Sequence, residues 1–236
     1  MNDLKRGLES LGKDVYYGAR DRVSSRTTVE VDTVSATFPS YFVENFTWTV
    51  NSERPVLRDL LTNIETGDTF YDIGAHAGLY SALVGQKIER TIAAFEPYPP
   101  NVRRLRRYLR WNDVDAEIYP YALSDSEIDS ANLAGDIVQV DTRIGDDLVQ
   151  SERLSPPDVV KIDVEGAELS VLRGLEQTLK ECRLVYCEVH PALLESRQIE
   201  PHKVSDFLEE RGFNLEMLVV REASNEQPIL RAERQL

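Results

Sequence analysis

The stretch Phe70-Tyr71-Asp72-Ile73-Gly74-Ala75-His76-Ala77-Gly78-Leu79 decides how this chain folds. Its first residues are apolar and β-prone, as in a buried strand. The two glycines then break that run, and Leu79 to Lys87 carries helical spacing. A strand, a glycine turn and a helix in that order form the ligand-facing unit of an open α/β sheet. Gly74 and Gly78 allow backbone to approach a ligand with no Cβ in the way. A helix beginning after them offers unpaired N–H groups and a positive dipole end to a carboxylate or phosphate. The dinucleotide pattern G-x-G-x-x-G is not met, because counting from Gly74 its later glycine positions hold His76 and Leu79.

The alternation continues outward. Thr91–Phe95 reads as a strand, Asn101–Trp111 as a helix and Glu117–Tyr119 as a strand. Ser130–Val140 reads as irregular or edge strands. Asp158–Asp163 is a continuous apolar strand, Glu168–Lys180 a helix, Leu184–Val189 a strand and Pro201–Arg211 a helix. Leu215–Val220 is expected as the last central strand, with Ile229-Leu230 at an edge. Upstream, a helix is expected to begin at Pro55, with Val56, Leu57, Leu60 and Leu61 as its apolar face. Thr28–Val34 alternates as a strand does, Phe38–Val50 is an aromatic hairpin or lid, and residues 1–26 are a short helix or mobile arm. Such a pattern predicts an α/β fold with a mostly parallel sheet and helices on both faces. An N-terminal extension over 1–52 precedes the main domain over 53–236.

A chain of 236 residues is long enough for one well-buried core, and 42% hydrophobic residues argues against disorder. Its two cysteines, Cys182 and Cys187, rule out a disulfide framework, suit a reducing cytoplasm and read as small core residues. The net charge of −14 makes nucleic acid and anionic membranes poor partners. Six lysines against 21 arginines, with 41 acidic residues, suit either a salt-rich cytoplasm or an acidic protein of ordinary conditions. The N-terminus lacks a secretory apolar segment and no run is long enough to span a membrane, so a cytoplasmic location is expected.

Ligands in such sheets sit beyond the carboxyl ends of the strands. Glu96 ends the second strand, 24 residues after Asp72, and a carboxylate there can accept both hydroxyls of a ribose. Asp163, Glu165 and Glu168 crowd three carboxylates around Gly166, a pattern that suits a general base, a hydroxyl clamp or a metal site. Glu168 can instead cap the following helix. Glu188 and His190 share one side of their strand, and a histidine there can take a hydroxyl proton near neutral pH. Asp163 stands out at the strand tip and can orient His190. Asp163, Glu165 and His190 would also offer Mg²⁺ an oxygen-rich set, though a required metal is not the expectation.

These signatures resemble the S-adenosylmethionine-binding core of class I methyltransferases. The resemblance is closer still to the FkbM-type family, through Phe70–Ser81, Phe95-Glu-Pro-Tyr-Pro-Pro-Asn-Val102, Val160–Glu168 and Glu188-Val-His-Pro191. Four linked motifs in order, across residues 53–192, make it specific. The resemblance implies a Rossmann-like fold with a seven-stranded sheet and S-adenosylmethionine as cofactor. It also implies methyl transfer to an oxygen of a small molecule or sugar. It places Asp72 and Gly74 under the methionine moiety, with Ala75, Gly78 and Tyr80 along the turn. Glu96 and Pro97 fall at the ribose, Ala122, Leu123 and Ser124 at the adenine, and Asp163 beside the cofactor as well as the acceptor. Asp125 is a weaker candidate for the adenine amine. His76 stands where such proteins more usually carry asparagine; it can hydrogen-bond the turn or approach the methionine end.

Arg103, Arg106, Arg107 and Arg110 cover one arc of their helix, opposite Val102, Leu105, Tyr108 and Leu109, and read as a solvated basic face. Two other functions stay open at this point: a non-catalytic nucleoside-binding or assembly module, and a nicotinamide-dependent oxidoreductase. The presence of Asp163 and His190 counts against the first, the failed glycine fingerprint against the second. Acceptor identity and oligomeric state are not legible.

Overall fold

Every residue of the central strands is buried, and successive side chains face opposite sides of the sheet, which divides the core into two layers. The computed structural model describes residues 19–20, 23–45, 47–126, 131–133, 136–138, 141–152, 154–221 and 227–234. In chain order these contain β1 (Arg26–Val31), β2 (Val34–Pro39), α1 (Ser40–Asn45), α2 (Thr47–Asn63), β3 (Phe70–Ile73) and α3 (Leu79–Val84). Next come β4 (Ile92–Phe95), α4 (Pro99–Trp111), β5 (Glu117–Tyr119), β6 (Ala122–Ser124), β7 (Ala131–Leu133), β8 (Asp136–Val138) and β9 (Thr142–Ile144). The chain continues with α5 (Gly145–Glu152), β10 (Val159–Ile162), α6 (Glu168–Gly174), a 3₁₀ turn (Thr178–Lys180) and β11 (Leu184–Glu188). It ends with α7 (Pro191–Ser196), α8 (His202–Glu210), β12 (Asn214–Arg221) and β13 (Gln227–Glu233).

Seven strands form one sheet in the order β12-β13-β11-β10-β3-β4-β5. From β11 to β5 all pairings are parallel, whereas β13 runs antiparallel to both β11 and β12. Phe70, Ala94, Val159, Leu184 and Tyr186 face the layer built with α2, α3, α4 and the β1–β2 hairpin. Tyr71, Ile73, Ala93, Phe95, Val160, Ile162 and Cys187 face the opposite layer, which holds Leu148, Leu169, Leu172 and Phe207. Helices therefore cover both faces, as a sheet buried on both sides requires. This is the Rossmann-like arrangement of class I methyltransferases. The winding reverses between β3 and β10, which opens a crevice at the tips of those two strands.

Several expectations need correction. The strand expected over Thr28–Val34 is broken by a turn at Asp32, whose φ is 52°, and the chain returns as β2 in register with β1. The helix expected from Pro55 begins at Thr47, and Pro55 lies inside it. The helix expected to reach Lys87 ends at Val84. β9 and α5 were not anticipated. The last two strands exchange their expected places: β13 inserts between β11 and β12, with its apolar Ile229, Leu230 and Ala232 buried from both layers, and β12, which contains Leu215–Val220, lies at the edge and is not a central strand. Of the expected Ser130–Val140 strands, Ala131–Leu133 and Asp136–Val138 pair antiparallel, and the rest of that segment lies outside the described residues. The arm expected over residues 1–26 lies mostly outside the described residues.

Phe38 and Phe42 are buried. Both meet Tyr108 of α4 edge-on, with ring centroids 5.8 and 5.7 Å apart. Phe42 also stacks 6.4 Å from the His76 ring, so this aromatic segment packs directly on the glycine turn. On α4, Val102, Leu105, Tyr108 and Leu109 are buried and Arg103, Arg106 and Arg110 exposed, whereas Arg104 is buried and bonds Asn101.

Candidate functional site

The glycine turn after β3 is built against the tip of β10. A Cβ on Gly74 would lie 1.9 Å from the backbone oxygen of Asp163, and the residue's φ is +82°. Only glycine satisfies both conditions at low cost. Asp163 N–H in turn donates to Ile73 O at 2.9 Å, while Gly74 and Ala75 N–H both donate to Phe95 O. The turn is thus stitched to the two strands flanking β3. Gly78 has φ +87°, and the chain leaves it into α3.

Asp72 is fully buried. Its Oδ2 accepts from Ser81 N–H at 3.1 Å and Ser81 Oγ at 2.6 Å, so the strand carboxylate satisfies an amide in the first turn of α3. Its Oδ1 has no hydrogen bond and lies 3.8 Å from Lys161 Nζ. Burial pushes the Asp72 carboxyl up from its ordinary range, opposed by Lys161 and Ser81.

Glu96, at the tip of β4, is also buried. Oε2 accepts the His76 N–H and Oε1 the Tyr98 N–H, both at 2.8 Å. Burial raises its pKa to about 7, against the backbone bonds and the charge of Arg104. His76 holds φ 50° in the turn; burial lowers its imidazole to about 4, helped by Arg104, so the ring is neutral at physiological pH. Pro97 follows Glu96 and is half-buried. Ala122 and Leu123 belong to β6, which pairs with β9 outside the main sheet. Leu123 is buried in the second layer and Ala122 half-buried, while Asp125 is exposed.

A second cluster of ionisable side chains gathers around Asp163 and His190. His190 is buried, with Nδ1 2.6 Å from Oε1 of the wholly buried Glu168. That oxygen also accepts Gly166 N–H at 2.8 Å. His190 Nε2 lies 3.8 Å from Asp163 Oδ1 and 3.7 Å from Glu188 Oε1. Burial works against the imidazolium, but the bond to Glu168 and the charges of Asp163, Glu168 and Glu188 outweigh it and raise the pKa. Among the described residues, the donor atoms of Asp163, Glu188 and His190 lie within 4.8 Å of one another. Glu188, and not the exposed Glu165, joins the other two residues of the oxygen-rich set considered from sequence. Glu165 occupies the turn at φ 42°.

Three residues in this network went unnoticed in the sequence as site residues. Lys161 is buried, with Nζ 3.2 Å from Asp163 Oδ2 and 4.6 Å from the Tyr80 ring centroid. Burial disfavours its charge, yet Asp163, Asp72, Glu53 and Glu188 reverse that and raise its pKa. Tyr80, expected along the turn, is buried with its hydroxyl bonded to Glu53, and burial and Glu53 push that hydroxyl well up. Glu53 comes from α2, which no strand-tip pattern could have indicated. Arg104 is the third, and its charge acts on Glu96 and His76. A lysine inside an otherwise apolar strand was the one signal available for Lys161.

The sheet order, with helices on both faces, is that of a class I methyltransferase fold. Residues 72–215 match the methyltransferase FkbM domain, and the chain belongs to that family. A curated relative, hexuronic acid methyltransferase AglP of Haloferax volcanii, is 28% identical over 212 residues, 83% of this chain and 84% of the relative. The crystal structure of methyltransferase FkbM from Methylobacillus flagellatus KT aligns over 81% of this chain with a TM-score of 0.55 and 19% identity. This chain spans about half the length of that protein, 53%. SMU.1697c of Streptococcus mutans, a putative methyltransferase solved in complex with SAH, aligns over 78% of this chain and 98% of its own, with a TM-score of 0.55 and 8% identity. No helix among the described residues is long and apolar enough to cross a membrane.

Proposed function

We propose that this methyltransferase uses S-adenosylmethionine to methylate a hydroxyl of a sugar, with a uronic acid as the favoured acceptor class. The observation that carries the cofactor reading is the pairing of two strand tips: a glycine turn pressed onto Asp163 and, beside it, the buried carboxylate of Glu96. The residues suit that cofactor chemically. Asp72, Asp163, Glu188 and Glu53 outnumber the cations Lys161 and His190, so the site favours a positively charged sulfonium over a pyrophosphate. The same balance, with membership of a methyltransferase family, counts against a nicotinamide cofactor.

When bound, S-adenosylmethionine supplies an electrophilic methyl carbon. The chain's own task is then alignment, which accounts for most of the rate enhancement in such a displacement. Glu96 accepts the ribose hydroxyls, and the glycine turn, held against Asp163, presents its backbone to the amino-acid end. The acceptor hydroxyl lies between Asp163 and His190. Attack by its oxygen on the methyl carbon would leave the carbon–sulfur electron pair on sulfur, and His190 Nε2 is placed to take the hydroxyl proton, with Asp163 orienting the pair. Glu168 at Nδ1 fixes which imidazole nitrogen is presented. Glu165, at the exposed turn beside Asp163, contacts the acceptor's far side.

The sugar reading is supported by the hexuronic acid methyltransferase relative, and the net charge of −14 favours a small acceptor over nucleic acid. Incubation with methyl-labelled S-adenosylmethionine and a panel of uronic acids, neutral sugars, phenols and short RNAs tests it. Labelled uronic acid ether is the expected product. Label in RNA or phenol alone contradicts the acceptor reading.

A further inference from the structure

β10 is apolar at every position but one. Val159, Val160 and Ile162 are fully buried, and Lys161 interrupts them while being buried itself. A buried ammonium is costly, and a well-packed apolar side chain would serve stability at least as well. The register explains where its charge is used. Lys161 pairs directly with Asp72 on β3, and Asp163 follows two residues later, just beyond the end of β10. The ammonium therefore bridges the carboxylate that caps α3 at the cofactor turn and the carboxylate at the reaction tip, 3.8 and 3.2 Å away. Tyr80 covers it from α3 at 4.6 Å. Through the charge of Glu53, α2 also joins this bridge.

We infer that Lys161 is a positioning residue for methyl transfer: it fixes the Asp163 carboxylate against the cofactor turn and thereby sets the distance between methyl donor and acceptor hydroxyl. This rests on the methyl-transfer reading and deepens it. Asp163 Oδ2 is held by Lys161, so Oδ1 is the oxygen directed to His190. The division of labour follows: Asp163 holds the acceptor hydroxyl, and His190 takes its proton.

The test compares the full-length wild-type protein with Lys161→Met, which keeps length and removes charge, and Lys161→Arg, which keeps charge and alters reach. At saturating donor and acceptor, kcat falls about 100-fold in Lys161→Met, the size expected for a misplacement of about 1 Å. Lys161→Arg falls at least tenfold, while KM for S-adenosylmethionine stays within threefold in both. Crystals of each variant with S-adenosylhomocysteine show the Asp163 carboxylate displaced or in more than one rotamer. Unchanged kcat per folded molecule, or an Asp163 carboxylate in the wild-type position in both variants, overturns the inference. Should Lys161→Met not fold, Lys161→Arg decides alone. Should wild type methylate none of the acceptors, the acceptor reading fails, and the Asp163 position in the crystals still decides the role of Lys161.

Discussion

The carboxylate of Glu96 joins the tips of two strands, accepting the His76 N–H through one oxygen and the Tyr98 N–H through the other, each at 2.8 Å. It thus braces the glycine turn after β3 from the end of β4. The Asn101 side chain also bonds this carboxylate. A carboxylate has about four lone-pair directions, so one ribose hydroxyl can use the direction left over and the second would displace Asn101.

Because burial raises the Glu96 pKa from 4.5 to about 7, cofactor binding should depend on pH. Below 7 the carboxyl is largely protonated and loses acceptor strength. Affinity for S-adenosylhomocysteine should therefore rise as pH increases through about 7, and Glu96→Gln should flatten the profile. The linked effect on the free protein has the opposite sign. A carboxyl with a raised folded-state pKa contributes stability below its unfolded value of 4.5 and loses that contribution as pH rises through about 7. Calorimetric titrations at pH 6, 7 and 8 check the first effect and denaturant melts the second.

Gly74→Ala should destabilise the protein by about 3 kcal/mol or more, because the new Cβ meets the Asp163 carbonyl at 1.9 Å in a left-handed backbone. Urea unfolding measures this. A change of less than about 0.5 kcal/mol would mean that the turn is not pressed against β10.

His190→Ala should reduce kcat by about 10²–10⁴-fold, the range expected for loss of a general base. Affinity for S-adenosylhomocysteine should remain within threefold. Since the acid groups around it raise the His190 pKa, the imidazolium must first lose its proton. Wild-type turnover should accordingly climb with pH above the ordinary histidine range near 6.5. A flat profile from pH 6 to 9 would assign the proton to another group.

Much of the architecture was legible in the sequence, and the pattern of misses has a physical origin. Val159–Ile162 and Phe70–Ile73 announce themselves as buried parallel strands because both sheet faces are covered. Strand tips also point to Glu96, Asp163 and His190, since a ligand crevice lies beyond the carboxyl ends. The insertion of β13 beside β11 could not be read, because two short apolar strands joined by a loop look the same in either order. The helix start at Thr47 was hidden by Pro55, a residue that ordinarily marks a first turn. Glu53 belongs to the site only through tertiary packing of α2 on Tyr80 and Lys161. Asp72, expected beneath the methionine moiety, bonds Ser81 through Oδ2 and leaves Oδ1 3.8 Å from Lys161, contacts that depend on the packing of α3 and on the register of β10.

The central claim is that the crevice between the Gly74 turn and Glu96 holds S-adenosylmethionine, and isothermal titration calorimetry with S-adenosylhomocysteine tests it most directly. One site per chain is predicted, weakened by about 1–3 kcal/mol in Glu96→Ala through loss of a charged hydrogen-bonding partner. Absence of binding at millimolar ligand, or equal affinity in wild type and Glu96→Ala, would contradict it.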